Sequence, residues 1–245
     1  MKILVCISNV PDTTTKITFT DNNSHFNKNG VQFILNPYDE IALARAIELT
    51  ENEQGTVTVV HVGDASTDPT LRKALAIGAT DAVRINAEPL DAYFVAEQIA
   101  AYAKDKSYDM ILTGRESIDY NGAKVAAMVG ELMDIPSVSI AKKITIEGNN
   151  GILEREIEGG KEVLSIPFPF VAGTAEGVAD WKIPNMRGIM AARTKPLTVV
   201  EPVSVNQLTQ IANFEIPTPR VSVKLIDAND MDNLIALLHN EAKVL

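Results

Sequence analysis

Through the first 140 residues, short apolar runs alternate with stretches in which apolar residues recur at helical spacing. The runs are Ile3 to Ile7, Val57 to Val62, Ala82 to Ile85, Met110 to Thr113 and Ser137 to Ile140. Between them the pattern predicts helices from Asn36-Pro37-Tyr38-Asp39 to about Thr50, from Pro69 to Ile77, from Asp91 to Lys104 and from Gly122 to Met133. Gly78 is placed to close the second as a left-handed cap. In the last, Val125, Met128, Val129 and Leu132 fall on one face and are expected in the core. Strand and helix in alternation predict an α/β fold, a parallel sheet with helices on both faces.

After Ile140 the pattern changes. Ile144 to Glu147, Ile152 to Ile157 and Val163 to Ile166 are separated by Gly148-Asn149-Asn150-Gly151 and Gly159-Gly160, which predicts an antiparallel meander on the sheet edge. A loop from Pro167 to Pro184 leads to a short helix at about Asn185 to Ala192 and a last run, Leu197 to Val200. Residues 1–200 therefore read as one α/β domain. Residues 201–245 read as an extended C-terminal arm, irregular to about Lys224, then helical from Asp230 to Lys243 with Met231, Leu234, Ile235 and Leu238 on one face. A helix tethered this loosely is expected to pack on another chain.

Composition narrows the function. With 46% apolar and 22% charged residues in 245, the chain is ordinary globular material. Its formal charge of −10 argues against a broad nucleic-acid surface. The single Cys6 and three scattered histidines, His25, His61 and His239, give no disulfide and no zinc-ligand spacing. Met1 to Ser8 run straight into an apolar strand-like segment, and no stretch is long enough to span a bilayer, so a cytoplasmic protein without membrane insertion is expected.

Open parallel sheets bind ligands beyond the carboxyl ends of their strands. The loops to inspect are Ser8 to Thr15, Gly63 to Asp68 and Gly114 to Gly122. Neither G-x-G-x-x-G nor G-x-x-x-x-G-K-[ST] occurs, which sets aside an ordinary dinucleotide dehydrogenase and a P-loop NTPase. The loop from Thr113 to Gly122 feeds a helix N-terminus and could cradle a phosphate, or Asp119 and Asn121 could simply start the helix. Asn36 to Asp39 likewise reads first as a helix cap. Cys6, inside an apolar strand, is expected to be a buried inert thiol. No nucleophilic triad, acid–base pair or metal cluster stands out, and the pattern favours a carrier or cofactor-binding protein over an enzyme.

Asn36-Pro37-Tyr38-Asp39-Glu40, Thr70-Leu71-Arg72-Lys73-Ala74-Leu75-Ala76-Ile77-Gly78-Ala79, Gly114-Arg115-Glu116-Ser117-Ile118-Asp119 and Ile183-Pro184-Asn185-Met186-Arg187-Gly188-Ile189-Met190, in this order and spacing, resemble the β subunit of electron-transfer flavoprotein. The resemblance covers about residues 1–200. It implies an adenine-nucleotide α-hydrolase-like fold, an α-subunit partner holding most of an FAD, and an AMP in the β subunit. It further implies electron transfer from soluble dehydrogenases, such as acyl-CoA dehydrogenases, to a quinone oxidoreductase.

By position, Cys6, Asn36, Pro37, Tyr38, Asp39 and Val62 would surround the adenine and ribose. Gly114, Arg115, Glu116, Ser117, Ile118, Asp119, Asn121, Gly122, Ala123, Lys124 and Val125 would wrap the phosphate. Thr13 would lie against the flavin. Trp181, Ile183, Pro184 and Arg187 would form the loop that docks dehydrogenases. Two departures bear on this. Ala123-Lys124-Val125-Ala126 replaces the Asn-Gln-Thr-Gly run of the AMP-binding branch, and Ala123 and Val125 match better the bifurcating branch, which carries a second FAD and takes NADH as donor. Thr13 stands where some members have an aromatic residue. A stand-alone adenine-nucleotide enzyme or regulatory protein of the same fold is the other class, although Ser8-Asn9-Val10-Pro11-Asp12 lacks the Ser-Gly-Gly loop of the ATP pyrophosphatases.

Overall fold

A computed structural model describes residues 1–51, 55–219 and 222–245. In chain order the elements are β1 (Lys2–Cys6), β2 (Asn9–Pro11), β3 (Phe19–Thr20), β4 (His25–Phe26), β5 (Phe33–Leu35), α1 (Pro37–Thr50), β6 (Thr56–Val62), α2 (Asp68–Ile77), β7 (Asp81–Ile85) and α3 (Ala92–Ala103). There follow β8 (Met110–Gly114), α4 (Val125–Leu132), β9 (Ser137–Glu147), β10 (Asn150–Ile157), β11 (Gly160–Pro167), β12 (Phe170–Thr174), α5 (Met186–Ala192), β13 (Leu197–Val200) and α6 (Met231–Leu237).

Among the described residues, nine strands form the main sheet in the order β11-β10-β9-β12-β8-β1-β6-β7-β13. From β9 through β13 every neighbouring pair is parallel, while β9, β10 and β11 are antiparallel and make the meander at one edge. The α/β class and the edge meander are as the sequence pattern predicts. Ile3, Val5, Val57 and Val59 point to the face covered by α1 and α2, with Leu43, Leu71 and Leu75 packed among them. Leu4, Val60, Val62 and Val83 point to the other face, against Phe94 and Ile99 of α3 and Val129 of α4. Two buried faces require strands apolar on both sides, which is why these runs do not alternate. In the α4 stripe Val129 is fully buried, and Val125, Met128 and Leu132 pack partly buried beside it.

Three sequence expectations are corrected. The strand β12 lies within the segment read as a loop; Phe170 and Val171 are completely buried, and the strand sits between β8 and β9 in the sheet. Pro167 and Pro169 both precede it without entering its ladder, so the prolines mark its start and not its absence. The runs Ser137 to Ile140 and Ile144 to Glu147 are one strand, β9. Its pairing shifts near Ala141, and Ile140 takes φ +58°, an irregularity that breaks the pattern without breaking the strand. Finally, α4 starts at Val125 and not Gly122, because Asn121 and Ala123 adopt φ +50° and +49°, which no right-handed helix accommodates.

Short pairs that the sequence did not announce fill residues 9–35: β2 with β5, and β3 with β4. Gly78 closes α2 as expected at positive φ (+153°), and a Cβ there would stand 2.7 Å from Ile47 Cδ1. The arm lies along the body as far as Phe214, whose ring stacks on Phe19 at 4.7 Å. Arg220 and Val221, inside the segment read as irregular, lie outside the described residues. The terminal helix α6 has no buried residue and passes into a π-helical turn over Leu238–Ala242. Among the described residues no helix is long and apolar enough to cross a membrane.

Candidate functional site: a cleft at the switch point of the sheet

The chain leaves β1 for β6 and β7 on one side, then returns to add β8 on the other. The loops after β1 and β8 therefore diverge, and a cleft opens beyond their carboxyl ends. It encloses about 480 Å³. Its walls are drawn from the ends of β1 and β6, the start of α3, the segment Thr113 to Ala126 and residues 209–211 of the arm. That volume lies within the range of small-molecule sites.

Two polar side chains lock the segments around the cleft. Asn36 is completely buried, yet it makes no cap bond to its own helix. Its amide donates to the Glu116 carbonyl at 2.9 Å and its oxygen accepts from Ile118 N–H at 3.3 Å. The capping reading of this residue is thus corrected: α1 relies on Pro37 and the acidic Asp39 and Glu40 in its first turn. Asp39, also buried, accepts from Ser8 N–H at 2.7 Å and Gly114 N–H at 2.8 Å. One carboxylate so ties the end of β1 to the end of β8. Burial pushes its pKa up to about 7, against the pull of the Ser8, Asn36 and Gly114 donors.

Of the residues the sequence reading assigned to nucleotide, Cys6, Asp39, Val62, Gly114, Arg115, Glu116, Ser117, Asp119, Gly122, Ala123, Lys124 and Val125 line the cleft. Asn36, Pro37, Tyr38, Ile118 and Asn121 stand outside the lining. Tyr38 packs under the Arg115 guanidinium, 5.4 Å from ring centroid to Cζ. The Cys6 thiol is held protonated by burial and by the neighbouring Asp39. Asp119 and Asn121 do not cap α4; Lys124 occupies that position without a side-chain bond. Thr13 is exposed in a turn set by Asp12, away from the cleft lining.

The sequence reading missed Pro89, Leu90, Ala92, Val95 and Ile99, which form an apolar side of the cleft with Asp91 among them, and the arm residues Thr209, Gln210 and Ile211. The first group had a signal, since a strand end at Ile85 and a helix beginning after Asp91 bracket another loop at the carboxyl end of the sheet. The arm had none, because its pattern gives no hint of where it returns.

Beside α2 and around α5, Trp181, Ile183, Met186 and Met190 expose 62, 75, 74 and 57% of their surfaces. Arg187 is exposed beside them, and Pro184 is half-buried against a groove with Arg72, Lys73 and Ile189. An apolar patch of this extent, across a loop and the helix α5 that follows it, is uncommon on a surface that meets only water.

These features define an α/β protein with its ligand cleft at the topological switch point. Residues 24–205 match the family model described as the electron transfer flavoprotein domain. The chain is 33% identical over 260 residues to the electron transfer flavoprotein subunit beta of Bacillus subtilis (strain 168), covering both chains completely. It is 26% identical over 252 residues to the subunit of that name from Homo sapiens, covering 100% of this chain and 99% of the other. This chain belongs to the electron transfer flavoprotein family.

Proposed function

We propose that the chain is the β subunit of a heterodimeric electron-transfer flavoprotein, a carrier and not an enzyme, with an α subunit as its permanent partner. The observation that carries this reading is the switch-point cleft in a chain that aligns end to end with β subunits. The α subunit would hold most of an FAD, which supplies the redox chemistry when bound. The β cleft would hold AMP, with Val62, Val95 and Ile99 offering an apolar wall for a base and the Gly114–Lys124 loop offering N–H groups to a phosphate. Ala123 at φ +49° followed by right-handed Lys124 is the alternation that turns successive N–H groups toward an anion. The organisation is then a nucleotide-binding domain, 1–200, and an arm, 201–245, for the α subunit, in the reducing cytoplasm that suits a single buried Cys6.

The test is the ligand content of the heterodimer co-purified with its α subunit. Denaturing extraction should release FAD and AMP in equal amounts. Lys124→Ala should weaken AMP retention about ten-fold, the scale of one lost charge-assisted hydrogen bond, and leave the flavin spectrum intact. Ala123 and Val125, which line the cleft without polar side chains, favour a second reading in which it holds a second FAD and the protein bifurcates electrons from NADH. Two FAD and no AMP on extraction would decide for it.

Electrons would arrive from soluble dehydrogenases such as acyl-CoA dehydrogenases and leave to a quinone oxidoreductase. Trp181, Ile183, Pro184 and Arg187 offer the docking surface. Burying one Ile-sized side chain is worth roughly 1.5 to 3 kcal/mol. Ile183→Ala should therefore slow transfer from a cognate dehydrogenase roughly ten-fold or more at limiting concentration, with flavin content unchanged. Loss of heterodimer stability without loss of coupling would mark Ile183 as a packing residue instead.

A further inference from the structure

The arm does more than leave the body. Gln98, buried on α3, brackets the backbone of Val203, donating to its carbonyl at 2.9 Å and accepting from its N–H at 2.8 Å. About two turns earlier, Asp91 divides its two carboxylate oxygens. Oδ1 caps α3 by accepting from Phe94 N–H at 2.7 Å. Oδ2 accepts from Leu208 N–H and Thr209 N–H, both at 2.8 Å, and from Thr209 Oγ1 at 3.3 Å. Gln207 reinforces the turn by donating to the Thr209 carbonyl at 2.7 Å. The residues so fixed, Thr209 with Gln210 and Ile211, are part of the cleft lining. A segment with almost no secondary structure is thus held in one place by side chains of the body, and the place is the ligand cleft.

We propose that residues 203–211 form a strap over the nucleotide cleft, latched by Asp91 and Gln98, and that opening this latch sets the rate at which the nucleotide leaves. The inference rests on the nucleotide reading above. Asp91 stands in the cleft wall, but its hydrogen bonds are to the strap and to α3. It acts on the nucleotide through the strap, as a positioning residue, and Thr209→Pro, which leaves Asp91 in place, separates that role from direct contact. A nucleotide under the strap must wait for the strap to lift, while the latch itself contributes to the stability of the closed state. By linkage, a bound nucleotide should hold the strap down as firmly as the strap holds the nucleotide.

The test uses the full heterodimer with AMP as probe. Asp91→Asn keeps a good helix cap, since Asn and Asp are equivalent there. The amide can accept with one oxygen only, and with that oxygen on Phe94 it turns a donor toward the N–H groups of Leu208 and Thr209. The strap is released and α3 stays capped. AMP dissociation, followed by chase with unlabelled AMP, should accelerate about ten-fold or more. Hydrogen exchange at Leu208 and Thr209 should lose protection in the variant and gain it on AMP binding in the parent. Thr209→Pro, which removes one N–H and the hydroxyl while leaving Asp91 untouched, should reproduce the faster dissociation and the lost protection at Leu208, position 209 then having no amide hydrogen, and serves if Asp91→Asn folds poorly. Lost protection with an unchanged dissociation rate in either variant would overturn the proposal. Failure of the nucleotide reading is a separate outcome, visible in the parent alone as no AMP bound.

Discussion

Gly114→Ala should empty the cleft and lower stability by about 3 kcal/mol, a fall in Tm of roughly 6 to 12 °C for a chain of this size. A Cβ at this position would overlap Asp39 Oδ1 and stand 2.6 Å from Tyr38 Cβ and 2.9 Å from the Tyr38 carbonyl carbon. The last two belong to the start of α1 and cannot yield without moving the helix. Pushing α1 away from β8 breaks the bond from Gly114 N–H to Asp39 and strains the one from Ser8 N–H to the other oxygen. A buried N–H without an acceptor then adds to the overpacking. Gly160→Ala is the matched control, since it lies on β11 away from the cleft and a Cβ there meets nothing within 4 Å. Thermal melts and ligand extraction of the two variants side by side decide the matter. If Gly114→Ala melts with its parent and keeps its ligand, the interlock of β1, α1 and β8 is dispensable.

That interlock shows where sequence reading stops. The apolar runs of β1, β6, β7 and β8 are legible because burial on both faces leaves little else they could be. The strand β12 was hidden by the meaning usually given to Pro167 and Pro169, although the run Phe170-Val171-Ala172 that follows them is the signature of a short buried strand. Asn36 shows a deeper limit. A short polar side chain just before a helix is what a cap requires, and also what a bridge to a loop 80 residues away requires. Only the position of the partner separates the two. Asp91 fills both roles with its two oxygens, and only the capping role is local enough to be read from the sequence. The phosphate loop is intermediate. Its place between β8 and α4 follows from the pattern, whereas the positive φ that delays the helix to Val125 falls on Asn121, which tolerates it, and on Ala123, whose Cβ gives no sign of it in the sequence.

Removing residues 222–245 should weaken association with the α subunit about a thousand-fold or more and leave the melting temperature of the remaining body within about 1 °C of the parent. The segment is apolar where a solvated tail would be polar: Val223, Leu225, Met231 and Ile235 expose 78, 89, 50 and 56% of their surfaces. Its internal ties are local, an ion pair between Lys224 and Glu241 at 2.8 Å and the turn that returns Val244 N–H to the Leu238 carbonyl at 3.1 Å. A seven-residue helix is far below the length at which helices persist unaided in water, so α6 needs a surface to pack on. Burial of three such side chains, at the low end of about 1.5 kcal/mol each, already accounts for the thousand-fold. The body loses little, because none of α6 is buried and the strap at 203–211 is retained. Affinity by titration calorimetry and melting of the isolated β chain are the two readings to compare. A truncated chain that binds the α subunit as tightly as the parent would place the interface on the body of the domain and leave the exposed apolar side chains of the arm unexplained.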